Sequence, residues 1–313
     1  MRFPSLRLVL LPLCASLVLA ACHGKDDLSQ PGGSTPVAAV QGSIDLIKAG
    51  DFNGLWKHAL PAADYVNLRT DWNRQAKDQP PITTRDRERF KATMATLTAP
   101  DAETTLYTQL QPKLAQMQQQ YKDQLPVLIS IAEAFAKSAI QQNKQLSAPQ
   151  KGQLGDVVDV LAPWAKQTPW FDQAKAKQAI AVTVTTARKL DLKSPEQLHA
   201  LDFDSAMKKY STAYDGIRQL LAIYGLSVDD TLDSVKLIPL ENKHGRAVVK
   251  IDYTLLGKPL TTESTLVQQN GRWYSEAMLK QVREAHQKTL HHPSVPVANA
   301  IAPAPASTTA AKD

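Results

Sequence analysis

Two carboxylates, a late trio of histidines, an aromatic corner and two early cysteines are the residues of this chain whose types and spacing could do chemistry. Asp252 and Glu263 come first: the strand register argued below sets them face to face. Facing carboxylates repel, and the repulsion raises one pKa toward the range of general acid–base work. Lys250 lies diagonally from Glu263 and softens that repulsion, so a solvated charged face is the expectation and acid–base chemistry its rival. His286, His291 and His292 gather at the end of the last helix, and neutral imidazoles bind zinc or copper. No nearby cysteine or clear carboxylate completes such a ligand set, and histidine suits a helix C-terminus without metal. No metal site and no cofactor are therefore expected.

Trp164, Trp170 and Phe171 cluster around Pro163 and Pro169. They could stack on carbohydrate or meet a partner; anchoring a corner between helices is the expectation. His58, His199 and His244 form no recognisable triad. The chain contains no Gly-x-Ser-x-Gly elbow, phosphate loop or His-Glu-x-x-His motif, and no catalytic residue is assigned.

The elements that must position these groups read as mainly helical. Thr35 and Pro36 open a helix carrying Val37, Val40, Ile44 and Ile47, and Gly50 ends it. Asp51 caps a short helix with Leu55 and Trp56. Helical patterns continue toward Trp72 and from Arg85 to Leu97. Asp101 caps a long helix with Leu106, Leu110, Leu114, Met117 and Tyr121 on one stripe, with Pro112 as a kink. The helix after Pro126 holds Val127, Leu128, Ile131, Phe135 and Ile140. It is apolar on more than one side, which predicts a central place. Leu154, Val157, Val158, Leu161 and Trp164 form the next stripe. The stretch from Phe171 to Leu190 fits a helix, yet residues 180–184 also read as strand. From Asp202 to Tyr224 an amphipathic helix gathers Phe203, Met207, Tyr210, Tyr214, Ile217, Leu221 and Tyr224 on one face.

The character changes after Val228. Val235 to Leu240 is an edge strand, since Pro239 lacks a donor. Val249, Ile251, Tyr253 and Leu255 alternate with polar neighbours at the period of a strand. Turns at Gly257-Lys258 and Asn270-Gly271 would set residue 255 opposite 260, 253 opposite 262 and 268 opposite 273. One face then collects Val249, Ile251, Tyr253, Leu255, Leu260, Leu266 and Trp273, and the polar residues fall on the other. A last helix runs from about Ser275 to Leu290. The expected class is α+β, predominantly helical: a helical array, a C-terminal antiparallel meander and a final helix.

The leader carries the most specific pattern. Arg2 and Arg7 precede an uncharged run from Leu8 to Leu19, shorter than the about 20 apolar residues that span a bilayer. It ends in Leu19-Ala20-Ala21-Cys22. This stretch resembles the bacterial lipoprotein signal, the lipobox. The resemblance implies cleavage before Cys22, a diacylglyceryl thioether on its sulfur, and acylation of the new amino terminus. His23 stands where aspartate would favour the inner membrane, so an outer-membrane anchor facing the periplasm is expected. Cys14 leaves with the leader, so the mature chain would hold no free thiol and no internal disulfide.

Hydrophobic residues make up 43% and charged residues 21%, the balance of a globular chain. The net charge of +6 falls to about +4 without Arg2 and Arg7. No dense basic run with interleaved aromatics exists, so no nucleic-acid partner is expected. The expected organisation is a signal over 1–21, a lipidated tether over 22–35, a helical region over 36–228, meander and helix over 229–292, and a disordered tail over 293–313.

A second resemblance lies at the two ends of the mature chain. Lys48-Ala49-Gly50-Asp51-Phe52 after an amphipathic helix, the Gly257-Lys258 hairpin, and Asn270-Gly271-Arg272-Trp273-Tyr274 look like the nuclear-transport-factor-2-like, cystatin-like α+β fold. It would make the helical middle an insertion or separate lobe, and it carries over no functional residue. The sequence thus points to a lipid-anchored envelope protein with a non-enzymatic binding or positioning role. Its partners are the membrane, through Cys22, and an envelope protein. The alternatives are an inhibitor or immunity lipoprotein against a secreted toxin, and a small-ligand-binding or enzymatic α+β domain.

Overall fold

Capping explains where most helices begin. The structure, a computed structural model, describes residues 28, 30–77, 79–144 and 146–291. The leader, Cys22, His292 and the tail from residue 293 lie outside the described residues. In α1 (Pro36–Ala49) the Thr35 hydroxyl accepts the Ala38 N–H, and Gly50 closes the helix at φ 67°. In α2 (Phe52–Ala59) the Asp51 carboxylate accepts the Gly54 N–H. Both helices turn their predicted apolar residues inward: Val40, Ile44, Ile47, Leu55 and Trp56 are buried.

Next come α3 (Ala62–Lys77), α4 (Thr84–Thr98), α5 (Ala102–Tyr121), α6 (Leu125–Gln142), α7 (Ala148–Gln167), α8 (Gln173–Leu190), α9 (Pro195–His199), α10 (Phe203–Ile223) and α11 (Val228–Asp233). Asp101 precedes α5 but makes no backbone cap; its carboxylate takes the Thr105 hydroxyl instead. Of the stripe expected on α5 only Leu114 is buried, and Met117 is exposed. The ambiguous residues 180–184 are helical. Asp172 caps α8 onto the Lys175 N–H, and Ala176, Val184 and Ala187 then share its buried side. On α10, Phe203 and Met207 are buried as expected, whereas Ile217 faces outward.

Four strands form an antiparallel meander in the order β1 (Lys236–Lys243), β2 (Arg246–Leu255), β3 (Lys258–Gln269) and β4 (Arg272–Ser275). A final helix, α12 (Glu276–His291), follows directly. The fold is thus α+β and predominantly helical. Each hairpin has a two-residue loop with positive φ at both positions: His244-Gly245, Leu256-Gly257 and Asn270-Gly271. Such loops match the right-handed twist of paired strands.

The middle turn corrects the expected register. Leu256, not Lys258, shares the turn with Gly257, so Leu255 pairs with Lys258 and Tyr253 with Leu260. The pairing moves by two residues. Because side chains alternate with period two, every residue keeps its face. Val249, Ile251, Tyr253, Leu255, Leu266 and Trp273 are buried, as the alternation required.

The two edges of the sheet differ. Edge strand β1 is exposed along nearly its whole length, and it carries Pro239 and a register irregularity before Glu241. Those features blunt pairing with other chains. The edge at β4 is covered by the start of the body: Gly33 exchanges backbone hydrogen bonds with Trp273 at 3.0 and 2.9 Å. A Cβ on Gly33 would sit 2.1 Å from the Ala39 nitrogen, so only glycine fits that approach. Arg272 adds hydrogen bonds to the carbonyls of Pro31 and Gly32. Residues 31–33, inside the stretch read as tether, are therefore pinned to the sheet.

One core crosses the boundary expected near residue 228. It joins Ile44, Leu55, Trp72, Phe203 and Met207 of the helices to Val249, Ile251, Leu266 and Leu279 of the meander and α12. The helix α7 reaches this core through Val157, Val160 and Leu161. Among the described residues no helix is long and apolar enough to cross a membrane.

Candidate functional site

The corrected register separates the two carboxylates. Glu263 pairs with Lys250, and Asp252 lies opposite Thr261. The Thr261 hydroxyl donates to Asp252 Oδ1 at 2.6 Å, and Lys250 Nζ donates to Oδ2 at 3.0 Å. The Thr261 bond first, then the Lys250 bond, holds the Asp252 carboxyl below the usual carboxylate range. A carboxyl held ionised in this way is no proton donor at neutral pH. Replacing Thr261 with valine should cost about 1 kcal/mol at neutral pH, a bond to a charged acceptor reduced by partial exposure. The native pKa lies below the unfolded one. The stabilisation is therefore fully present above the unfolded pKa and fades as pH falls through the native value. Denaturant unfolding should show the two proteins converging in acid; a constant gap would mean the hydroxyl acts through packing.

The histidines are likewise dispersed. His286 Nδ1 lies 2.6 Å from Asp71 Oδ2, and Asp71 is 3% exposed. Arg283, one turn earlier, grips Asp64 through Nε and Nη2. That bond raises the Arg283 pKa above its ordinary value. Gln75 meets Thr289 one step further along. The three contacts ascend together on α3 and α12, so these helices run parallel and are fastened along one seam. His286 belongs to that seam, while His291 at the end of α12 is exposed. Among the described residues no three metal-ligating side chains gather.

His58 is 1% exposed on α2, with Nε2 3.0 Å from the Ala39 carbonyl. Its own carbonyl accepts the Gly32 N–H at 2.7 Å. It thus braces the crossing of α1 and α2 and the segment that covers β4. Beside it lies a cavity of about 30 Å³ between Ser43, Trp273 and Met278, room for about one or two waters and no substrate. His199 ends α9 and His244 occupies a hairpin turn, so His58, His199 and His244 sit on three separate elements.

The aromatic corner is internal cement. Trp164 and Trp170 meet edge to face at 5.5 Å, and Trp170 lies 5.1 Å from Tyr224. Both indole donors are satisfied, by the carbonyls of Tyr224 and Ala165. Phe171 is half-buried beside them. This corner fastens the connection between α7 and α8 to the end of α10.

The feature that sequence reasoning placed wrongly is α6. Expected at the centre, it contains no buried residue and packs chiefly on α7. Val127, Leu128, Ile131 and Phe135 are exposed by 59, 50, 61 and 76%. The helix's two charges point the other way. Glu133 accepts from Lys166 and Lys137, both at 3.0 Å, and Lys137 also pairs with Asp159. Those lysines, Lys166 foremost, keep the Glu133 carboxyl below its ordinary range. Water-facing helices show the opposite arrangement, with charges outward and apolar residues inward. The signal for this was present in the sequence: a helix apolar on several sides is either enclosed or waiting for a partner. Comparison with known proteins finds no matching family model, no matching curated protein and no matching solved structure.

Proposed function

We propose that this chain is an envelope lipoprotein, anchored through a lipidated Cys22, which acts by binding and positioning rather than by turnover. The observation that carries the binding reading is the uncharged, outward apolar face of α6. Contiguous apolar surface on a folded body marks an interaction site, for a membrane as much as for a protein. Two of the chemistry-bearing residues support the same reading, because they have structural partners: Asp252 has Thr261, and His286 has Asp71. The anchor reading is supported by the run from Leu8 to Leu19 and by Leu19-Ala20-Ala21-Cys22. Lipid on Cys22 would place the protein in the outer membrane, facing the periplasm, with the membrane and an envelope protein as partners. Helix α1 beside a four-stranded antiparallel meander supports the likeness to the nuclear-transport-factor-2-like fold, with the middle helices as an added lobe.

The test is the mass of the amino-terminal peptide from protein purified out of its own membranes. The expected peptide begins at Cys22 and carries a diacylglyceryl thioether and an amide-linked acyl chain. A peptide beginning at Met1, or an unmodified thiol at Cys22, overturns the anchor. Turnover of an envelope substrate by the purified protein overturns the binding role.

A further inference from the structure

Among the described residues nothing covers the outward face of α6. Its large side chains fall at positions 127, 128, 131 and 135, one side of the helix. We infer that this face lies on the lipid of the bilayer to which the chain is anchored. The inference rests on the anchoring of Cys22 proposed above and adds the orientation of the body.

Three observations select lipid over a second protein surface. The first is area. Side chains exposed by 50 to 76% offer on the order of 100 Å² each. Two copies paired through α6 would bury about 800 Å² in total, the level of incidental contacts and below the about 1,200 Å² of stable complexes. So small a face suffices only for a body already held nearby.

The second observation supplies that tether. Eight residues lie between Cys22 and Pro31, nine Cα steps with a reach of at most about 30 Å. The far end is fixed, because Arg272 holds the carbonyls of Pro31 and Gly32, and Gly33 is paired with Trp273. A leash this short converts docking into an intramolecular step at high effective concentration.

The third is the charge pattern. Lys122 and Lys144 stand exposed just beyond the two ends of α6, with Asp123 beside the first. Between them the outward face is uncharged, since Glu133 and Lys137 are engaged toward α7. Apolar side chains would enter the acyl boundary while the terminal lysines stay among the phosphates.

The test uses the lipidated chain, whose mature form has no other free thiol once Cys22 is acylated. A fluorophore is placed on Ile131→Cys, and separately on Lys91→Cys of α4 as an exposed control. Each protein is reconstituted into vesicles of phosphatidylethanolamine and phosphatidylglycerol with brominated acyl chains. Quenching is expected to be several-fold stronger at position 131 than at 91. It should be lost when Phe135→Asp is added, with unchanged circular dichroism. Equal quenching at the two positions, in protein that still floats with the vesicles, overturns this inference and leaves the anchor standing. Shielding of position 131 from an aqueous quencher without quenching by brominated lipid also overturns it, and assigns the face to a protein. Material that does not float and carries no acyl mass overturns the anchor itself.

Discussion

Cys22→Ser is expected to reduce incorporation of labelled fatty acid to background, the largest functional effect of any single substitution in this chain. An alcohol cannot replace the thioether sulfur, and each acyl methylene removed from the bilayer forfeits about 0.8 kcal/mol. One chain binds a membrane only marginally, whereas two or more hold it firmly. Loss of the sulfur would thus convert the proposed permanent attachment into none. The readout pairs acyl labelling with the mass of the amino terminus. Where the leader is removed, the variant should leave the membrane pellet. Where the leader is retained, the mass exceeds the mature value and the label is still absent. Label that persists on the serine variant would refute the anchor. The folded body should be indifferent to the change, because Leu28, which packs against its core, lies six positions after the substitution.

Phe203→Ala is expected to destabilise the body by about 3–5 kcal/mol, the range for truncating a large buried aromatic. Phe203 is 2% exposed at the start of α10, and its ring meets Tyr65 at 5.9 Å and Trp72 at 5.8 Å, edge to face in both cases. Its loss would open a void where α3 and α10 meet. The size of the effect tests local packing, and its spread tests the unity of the core. Since the helical and strand residues belong to one cluster, amide exchange in β2 should accelerate together with that in α10. Acceleration confined to the helices would mean that helices and meander unfold as separate units. A loss below about 1 kcal/mol would show that the neighbouring rings collapse into the space.

The chain discloses its local structure far better than its long-range pairing. Thr35 and Asp51 announced helix starts because a capping oxygen acts within three residues. Asn270-Gly271 announced its turn because both residues tolerate positive φ. Leu256 did not, since leucine seldom adopts that conformation, and the neighbouring lysine was the easier choice. The error of two residues left both faces of the sheet intact but moved every partner between β2 and β3, which is how Asp252 acquired the wrong neighbour. The seam between Asp71 and His286 spans 215 positions, and no pattern of period two or 3.6 carries information over that separation. Helix α6 failed for a different reason. Hydrophobicity reports that a surface avoids water; it does not say whether the covering surface lies in the same chain.

The join between Gly33 and Trp273 sets how this molecule answers a pull. Any tension arriving along the chain from residue 30 meets the backbone bonds at Trp273 and the guanidinium of Arg272 before it reaches α1. Trp273 is itself 5% exposed, set among the core residues of the sheet. Mechanical load would therefore enter through a strand rather than a helix end, and yielding there would uncover the sheet's one shielded margin at the moment the leash lengthened.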